Sequence, residues 1–349
     1  MSNGTIAQLR EGDSRVVYAE LRKCASAKTR DGKEFLVLEL CDNSGVIEGK
    51  VWGDRAEAMQ AAKAITLHRP VKVMGKVTTY QGRLQLIVEK IREVLDPAAE
   101  PGFDPATLLD PDLVDVEDLV CGTLVFDIET VPGVDRRELT ATVAEALGKW
   151  AEKREMEPGS AMGLSPWFGK IVSLAFAEGE TECRTEDVTV LFVPKEEGEL
   201  ANCPPWMRPM SEAQLLRTFW SLASRANTVV TFNGKNFDIP FLVTRSLIHG
   251  IPARVDLTKA FALQPHLDLY EVVAKTTGGP GKLDVVCWAL GVESPKGAMD
   301  GSMVAPAYDR GDYERIAEYN AHDVRATAEV YRKVRDHILK FRSDWTQRG

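Results

Sequence analysis

The sequence contains no run approaching the roughly 18 uninterrupted apolar residues that a membrane-spanning helix requires, so a membrane partner is not expected. It also contains no C-x-x-C pair. Its six cysteines stand at positions 24, 41, 121, 183, 203 and 287, too far apart for a zinc ribbon or a disulfide scaffold, and are expected to be small buried apolar residues. No H-E-x-x-H zinc motif occurs. The segment GGPGKL has the look of a phosphate-binding loop, but Thr276 stands five residues before Gly281 and Leu283 follows Lys282. The glycine and the Mg²⁺-binding hydroxyl of that loop are therefore missing, and no nucleotide cofactor is expected. The opening MSNGTIAQLREGD has no basic region leading into an apolar stretch, so no secretion signal is read and a cytoplasmic location is expected. Excess positive charge is lacking overall, with a net charge of -9.

What is present begins with size. A chain of 349 residues, 44% hydrophobic and 27% charged, has the length of two globular domains. The acidity is not evenly spread. Residues 1–95 carry 16 Lys and Arg against 12 Asp and Glu, and residues 121–349 carry 27 against 32. Residues 96–120, DPAAEPGFDPATLLDPDLVDVEDLV, carry eight acids, four prolines and no base. That composition reads as an extended acidic linker.

Before the linker, alternating apolar segments predict five strands near residues 15–22, 33–41, 46–52, 71–77 and 83–91. One Ala-rich helix, with Asp54 as its cap, is expected between the third and fourth. This is the element order of a five-stranded OB β-barrel. After the linker the pattern changes to mixed α and β. Strands are read at 122–129, 170–179, 188–194 and 228–233, a helix opened by Ser211, a helix ending at Gly250, and a long helix from about 312 to 339.

Asp127 and Glu129 are separated by one residue on the apolar strand LVFDIET. Residues two apart on a strand project to one face, so two carboxylates converge there. Such a pair either ends a strand in solvent or holds a hard cation of the Mg²⁺ or Mn²⁺ type. Asp238, in TFNGKNFDIP, reads by itself as a helix cap. Tyr319 and Asp323 in YNAHD are four apart on the long helix, one turn from each other on one face.

Together these segments resemble the DnaQ-like (DEDD) 3′-5′ exonuclease superfamily, over roughly residues 122–340, with a ribonuclease-H-like fold implied. FDIET is similar to its first motif, NGKNFDIP to its second and YNAHDV to its third. HLDLY, ALG and SPKGAMDGS place the likeness nearest the branch related to the proofreading domains of family B DNA polymerases. Glu318 stands five residues before Asp323 and Tyr319 four before it, the spacing of the tyrosine subgroup. The resemblance implies Asp127, Glu129, Asp238, Tyr319 and Asp323 as catalytic residues, with the four carboxylates holding two divalent cations, Mg²⁺ or Mn²⁺. It further implies substrate contacts by Thr130, Asn233 and Phe237, while Lys296 in the SPKGAMDGS loop has two open readings, a phosphate contact or a solvated loop lysine. Asp268 in HLDLY has two open readings, a support for the metal site or a helix cap.

Residues 14–93 resemble OB modules of the anticodon-binding type, which grip single strands with basic grooves and aromatic platforms. Lys33, Phe35, Lys50, Trp52, Tyr80 and Arg83 are the candidate contacts. Alternation puts Leu36, Leu38 and Leu40 inside the barrel and Phe35 outside, and puts Trp52 on the face of Lys50. The expected organisation is an OB domain over 1–95, a linker over 96–120 and an α/β exonuclease domain over 121–349. Its expected partner is single-stranded nucleic acid, DNA before RNA. The alternatives are a 3′-5′ exoribonuclease and a non-cleaving single-strand-binding adaptor.

Overall fold

The computed structural model describes residues 4–29, 31–80, 82–108, 119–196, 198–275, 281–294 and 299–345. The chain divides into two compact units, Met1–Leu113 and Val114–Gly349.

The first unit is a closed barrel with strand order β1-β2-β3-β5-β4. The strands are β1 (Ser14–Lys28), β2 (Glu34–Asp42), β3 (Gly45–Trp52), β4 (Pro70–Tyr80) and β5 (Arg83–Glu93), with helix α1 (Ala56–Ala64) between β3 and β4. Period-two alternation fills the interior, where Leu36, Leu38, Leu40, Val51, Val73, Val77 and Leu86 are buried. The cap of α1 is Arg55, with no side-chain capping bond, so Asp54 does not play the role expected of it. The acidic stretch after β5 is not free chain throughout. Residues 96–108 lie against the barrel: Phe103 packs on Tyr18 with ring centroids 5.0 Å apart. The Asn43 amide N–H donates to the Thr107 carbonyl at 2.7 Å, and Leu108 is buried.

The second unit is built on a six-stranded sheet of order β11-β10-β6-β7-β8-β9. Its elements run β6 (Thr123–Pro132), α2 (Ala141–Glu152), α3 (Pro158–Met162), β7 (Gly169–Glu178), β8 (Thr189–Phe192), β9 (Met207–Pro209), α4 (Glu212–Arg225) and β10 (Thr228–Thr231). Then follow α5 (Asp238–His249), β11 (His266–Asp268), α6 (Leu269–Val273), α7 (Leu283–Leu290), α8 (Val304–Arg310) and α9 (Tyr313–His337). Strands β6, β7 and β8 are antiparallel neighbours, whereas β10 and β11 run parallel to β6. Both faces of β6 are covered, which explains its near-continuous apolar sequence. Val125 joins the core made with Ala321, Val324 and Ala328 of α9. Phe126 points to the other face and meets Phe219 of α4 at 4.8 Å between ring centroids. Ser211 caps α4 by accepting from the Gln214 amide, and Gly250 closes α5 in the left-handed conformation.

All six cysteines are free; Cys41, Cys121 and Cys287 are buried, while Cys24, Cys183 and Cys203 are only half-buried. Among the described residues no helix is long and apolar enough to cross a membrane.

Candidate active site

The alternation that sends Val125 toward α9 sends Asp127 and Glu129 the same way, and Asp323 projects from α9 to meet them. Ligand oxygens of Asp127, Glu129 and Asp323 all lie within 4.8 Å of one another. A β-bulge follows immediately, where the register with β7 shifts between Glu129 and Thr130. Bulges of this kind re-aim side chains at the end of a pair. Asp238 completes the group from the first turn of α5. It is 4% exposed, and its Oδ1 accepts from the amide of Ile128, the residue between Asp127 and Glu129, at 3.2 Å. Phe237 occupies the N-cap position of α5, with no side-chain capping bond, so Asp238 is not the cap that its local sequence suggests.

Four acids in one place raise one another's proton affinity. The Asp127 carboxyl is pushed well above the ordinary carboxylate range, first by burial and then by Asp238, Asp323 and Glu129. Glu129 is pushed up by burial, Asp323 and Asp238. Burial carries Asp238 to about 7 despite the Ile128 amide. Oxygen-only donors at this spacing are the donor set of a hard divalent cation. The Tyr319 phenol, one turn before Asp323, is raised far above its usual value by burial and by Asp323, Glu129 and Asp127. It therefore stays protonated and acts as a hydrogen-bond donor.

Sequence reasoning missed Asn320 and Ser173. Asn320 is fully buried on α9; its Nδ2 donates to Asp127 Oδ2 at 2.7 Å. Its Oδ1 accepts from the Ser173 hydroxyl of β7 at 2.8 Å. The signal was available in part, since Asn320 stands three residues before Asp323, the other spacing that shares a helix face. Of the remaining predicted contacts, Thr130 donates its hydroxyl to the Gly163 carbonyl at 2.6 Å. Asn233 accepts from the Asn236 side-chain amide at 2.8 Å, and Phe237 packs on Phe241 with ring centroids 5.5 Å apart. Lys296 lies outside the described residues.

On the barrel, Phe35 and Trp52 face each other across β2 and β3 with centroids 5.2 Å apart. Lys50 Nζ lies 4.6 Å from the Tyr80 ring centroid and 5.6 Å from that of Phe35. Phe35, Lys50, Tyr80 and Arg83, joined by Arg10, line a groove of about 1080 Å³. Trp52 backs Phe35 rather than lining the groove. Lys33 sits apart from it in the turn before β2, where its amide donates to the Thr29 hydroxyl at 3.0 Å.

An OB barrel with a basic and aromatic groove, followed by an α/β domain that gathers four carboxylates and a tyrosine, has the make-up of a nucleic-acid-processing protein. Comparison with known proteins gives the family. Residues 167–344 match the profile described as "Predicted 3'-5' exonuclease related to the exonuclease domain of PolB", and residues 15–94 match that of the "OB-fold nucleic acid binding domain". The first match takes in half of the chain, and the chain belongs to that PolB-related exonuclease family.

A curated relative is a DNA polymerase of Desulfurococcus sp. (strain Tok), 24% identical over 330 residues. That alignment takes in 86% of this chain and 38% of the polymerase. Among solved structures, the family B DNA polymerase of Pyrobaculum calidifontis aligns at 14% identity and TM-score 0.42, covering 91% of this chain and 45% of that one. The second OB-fold domain of replication protein A from Methanococcus maripaludis aligns at 22% identity and TM-score 0.23, covering 27% and 96%. The assignment rests on the family profiles.

Proposed function

We propose that this protein removes 5′-mononucleotides from the 3′ end of a single strand, DNA before RNA, while its OB unit holds the same strand. The observation that carries this reading is the convergence of Asp127, Glu129 and Asp323 within 4.8 Å. Asp238 stands beside them and is bonded to the backbone between the first two. Four acids that repel one another and a phosphate backbone have no use in a domain kept only for binding.

Two divalent cations, Mg²⁺ or Mn²⁺, would be held by Asp127, Glu129, Asp323 and Asp238 and would supply the charge that activates water and stabilises the departing oxygen. Asp127 would take part in holding the ions, and its carboxylate is oriented by the Asn320 amide, which donates to Oδ2. Tyr319, whose phenol is a poor base at neutral pH, would orient the attacking water. Thr130, Asn233 and Phe237 meet the terminal nucleotide. On the OB unit, Phe35 and Tyr80 offer stacking surfaces, and Lys50 and Arg83 meet phosphates. The covalent tether between the units makes the second contact with a strand intramolecular, so its benefit is avidity.

The test is a gel time course of the full chain with Mn²⁺ or Mg²⁺ on matched 5′-labelled single-stranded DNA and RNA, beside Asp127→Ala. A ladder shortening from the 3′ end, metal-dependent and absent in the variant, is the expected result. No cleavage of either strand, with binding intact, would transfer the protein to the non-cleaving adaptors.

A further inference from the structure

We propose that His266 and Asp268 are a positioning pair that clamps the turn carrying Asp238, and so set where that carboxylate stands relative to Asp127 and Glu129. The inference rests on the nuclease reading of the site. The two residues are separated by one position on β11, which runs parallel to β10, and both are buried, at 2% and 1% exposure. β10 ends at Thr231, and the chain then turns through residues 232–237 into α5.

Asp268 spends its carboxylate on that turn. Its Oδ1 accepts from the amides of Asn233 at 2.7 Å and Tyr270 at 3.0 Å. Its Oδ2 accepts from the amide of Lys235 at 3.0 Å. The Tyr270 bond caps α6, so the helix-cap reading of this residue is right but incomplete. His266 holds the preceding residue. Its Nδ1 faces the Leu257 carbonyl at 2.9 Å and therefore carries the ring hydrogen. Its Nε2 then accepts from the Thr231 hydroxyl at 2.8 Å.

The turn needs such an anchor. Asn233 adopts a left-handed φ of 68°, a conformation that costs a non-glycine residue free energy unless its surroundings hold it. Gly234 fits against Thr231 with no room for a side chain, since a Cβ there would lie 2.4 Å from Thr231 Oγ1. A third tie comes from Lys235, whose Nζ pairs with Glu271 at 2.8 Å and donates to the Ala262 carbonyl at 2.8 Å. Beyond the turn, the Ile239 amide donates to the Gly234 carbonyl at 2.8 Å, and Asp238 reaches the Ile128 amide. Contacts thus run without a gap from β11 through the turn to the backbone between the first two carboxylates. A shift of the turn moves Asp238 against a fixed Asp127 and Glu129.

The experiment uses the full chain with Asp268→Ala and Asp268→Asn. Two quantities are measured at a temperature where circular dichroism shows each variant folded: the cleavage rate of a 5′-labelled single strand across Mn²⁺ concentrations, and Mn²⁺ binding by titration calorimetry without substrate. The clamp predicts a maximal rate lowered by about 10- to 100-fold in Asp268→Ala, the usual effect of removing an outer support of a metal site, with a higher half-saturating Mn²⁺ concentration. Asp268→Asn keeps an oxygen for the Asn233 and Tyr270 amides and should fall between it and the parent. A folded Asp268→Ala with parental rate and parental Mn²⁺ affinity overturns the proposal. If Asp268→Ala does not fold, Asp268→Asn decides by the same two readouts. If the parent itself does not cleave, the nuclease reading fails while calorimetry still judges the clamp, by whether Mn²⁺ affinity falls in the variant.

Discussion

Carboxylates meet opposite fates in the two units. In the OB unit Glu100 accepts from the Tyr18 hydroxyl at 2.9 Å, from Lys72 at 2.9 Å and from Arg92 at 2.7 and 2.8 Å. Arg92 first, then Lys72 and Tyr18, hold its carboxyl down at about 2. In the second unit Asp127, Glu129 and Asp238 are pushed upward by burial and by neighbouring acids. The residue type is nearly the same and the surroundings are reversed. Glu100 is a structural acid whose counter-charges belong to the chain. The second cluster gathers acids that raise one another's proton affinity, and in the function proposed above bound cations would supply its counter-charge.

The first way to break this comparison is to remove the acid that faces the others. Asp127→Ala should lower cleavage on the order of 10³-fold or more, beyond the 10- to 100-fold typical of outer supports of a metal site. Asp127→Asn, which removes a repelling acid but keeps an oxygen for the Asn320 amide, should raise the melting temperature without metal, whereas Glu100→Gln should lower it. Parallel melting curves of the two variants check the pair of signs.

A pH series sharpens the contrast. Burial holds the His266 imidazole at about 4, so as pH falls below about 6.5 the unfolded chain takes up this proton first. The stability that neutral His266 contributes, about 3 kcal/mol, is complete above pH 6.5 and lost as pH reaches 4. Glu100 behaves differently, its contribution complete above pH 4.5 and lost as pH falls from there to about 2. Unfolding midpoints of the parent and His266→Gln should converge as pH falls from 7 to 4.

Metal addition separates the units again. Mn²⁺ at 100 times its dissociation constant should stabilise the parent by about 2.7 kcal/mol. Paired Asp127→Ala and Glu129→Ala should abolish this, and Glu100→Gln should leave it intact. A metal-induced shift that survives the first pair would place the ion elsewhere.

The smallest expected effects lie in the OB groove. Tyr80→Ala should cost about 1–3 kcal/mol of single-strand affinity, the value of one stacked base. Lys50→Ala should flatten the dependence of log affinity on log salt concentration by about 0.7. Fluorescence anisotropy at several salt concentrations measures both, and an unchanged slope would remove Lys50 from the phosphate contacts.

Much of the fold was legible because alternation and helical spacing are local. The barrel strands, the cap at Ser211 and the stop at Gly250 all appear where short-range pattern places them. The half-buried cysteines, the missing side-chain cap on α1 and the packing of residues 96–108 were not legible. The last depends on neighbours distant in sequence: Tyr18 and Asn43 give the acidic stretch a surface that its own composition does not announce. Short elements such as α3, α6 and β11 carry too few residues to show a period.

The sequence by itself determined that Asp127 and Glu129 share a strand face and that Tyr319 and Asp323 share a helix face, because strand and helix periods are properties of the local backbone. Only the tertiary structure decided that α9 lies against β6 so that those faces meet. It alone brought Asp238 to the Ile128 amide and Asn320 between Ser173 and Asp127, and turned Asp268 onto the amides at Asn233 and Lys235. Those pairings join residues from about 30 to nearly 200 positions apart, and nothing in a local period selects one distant partner over another.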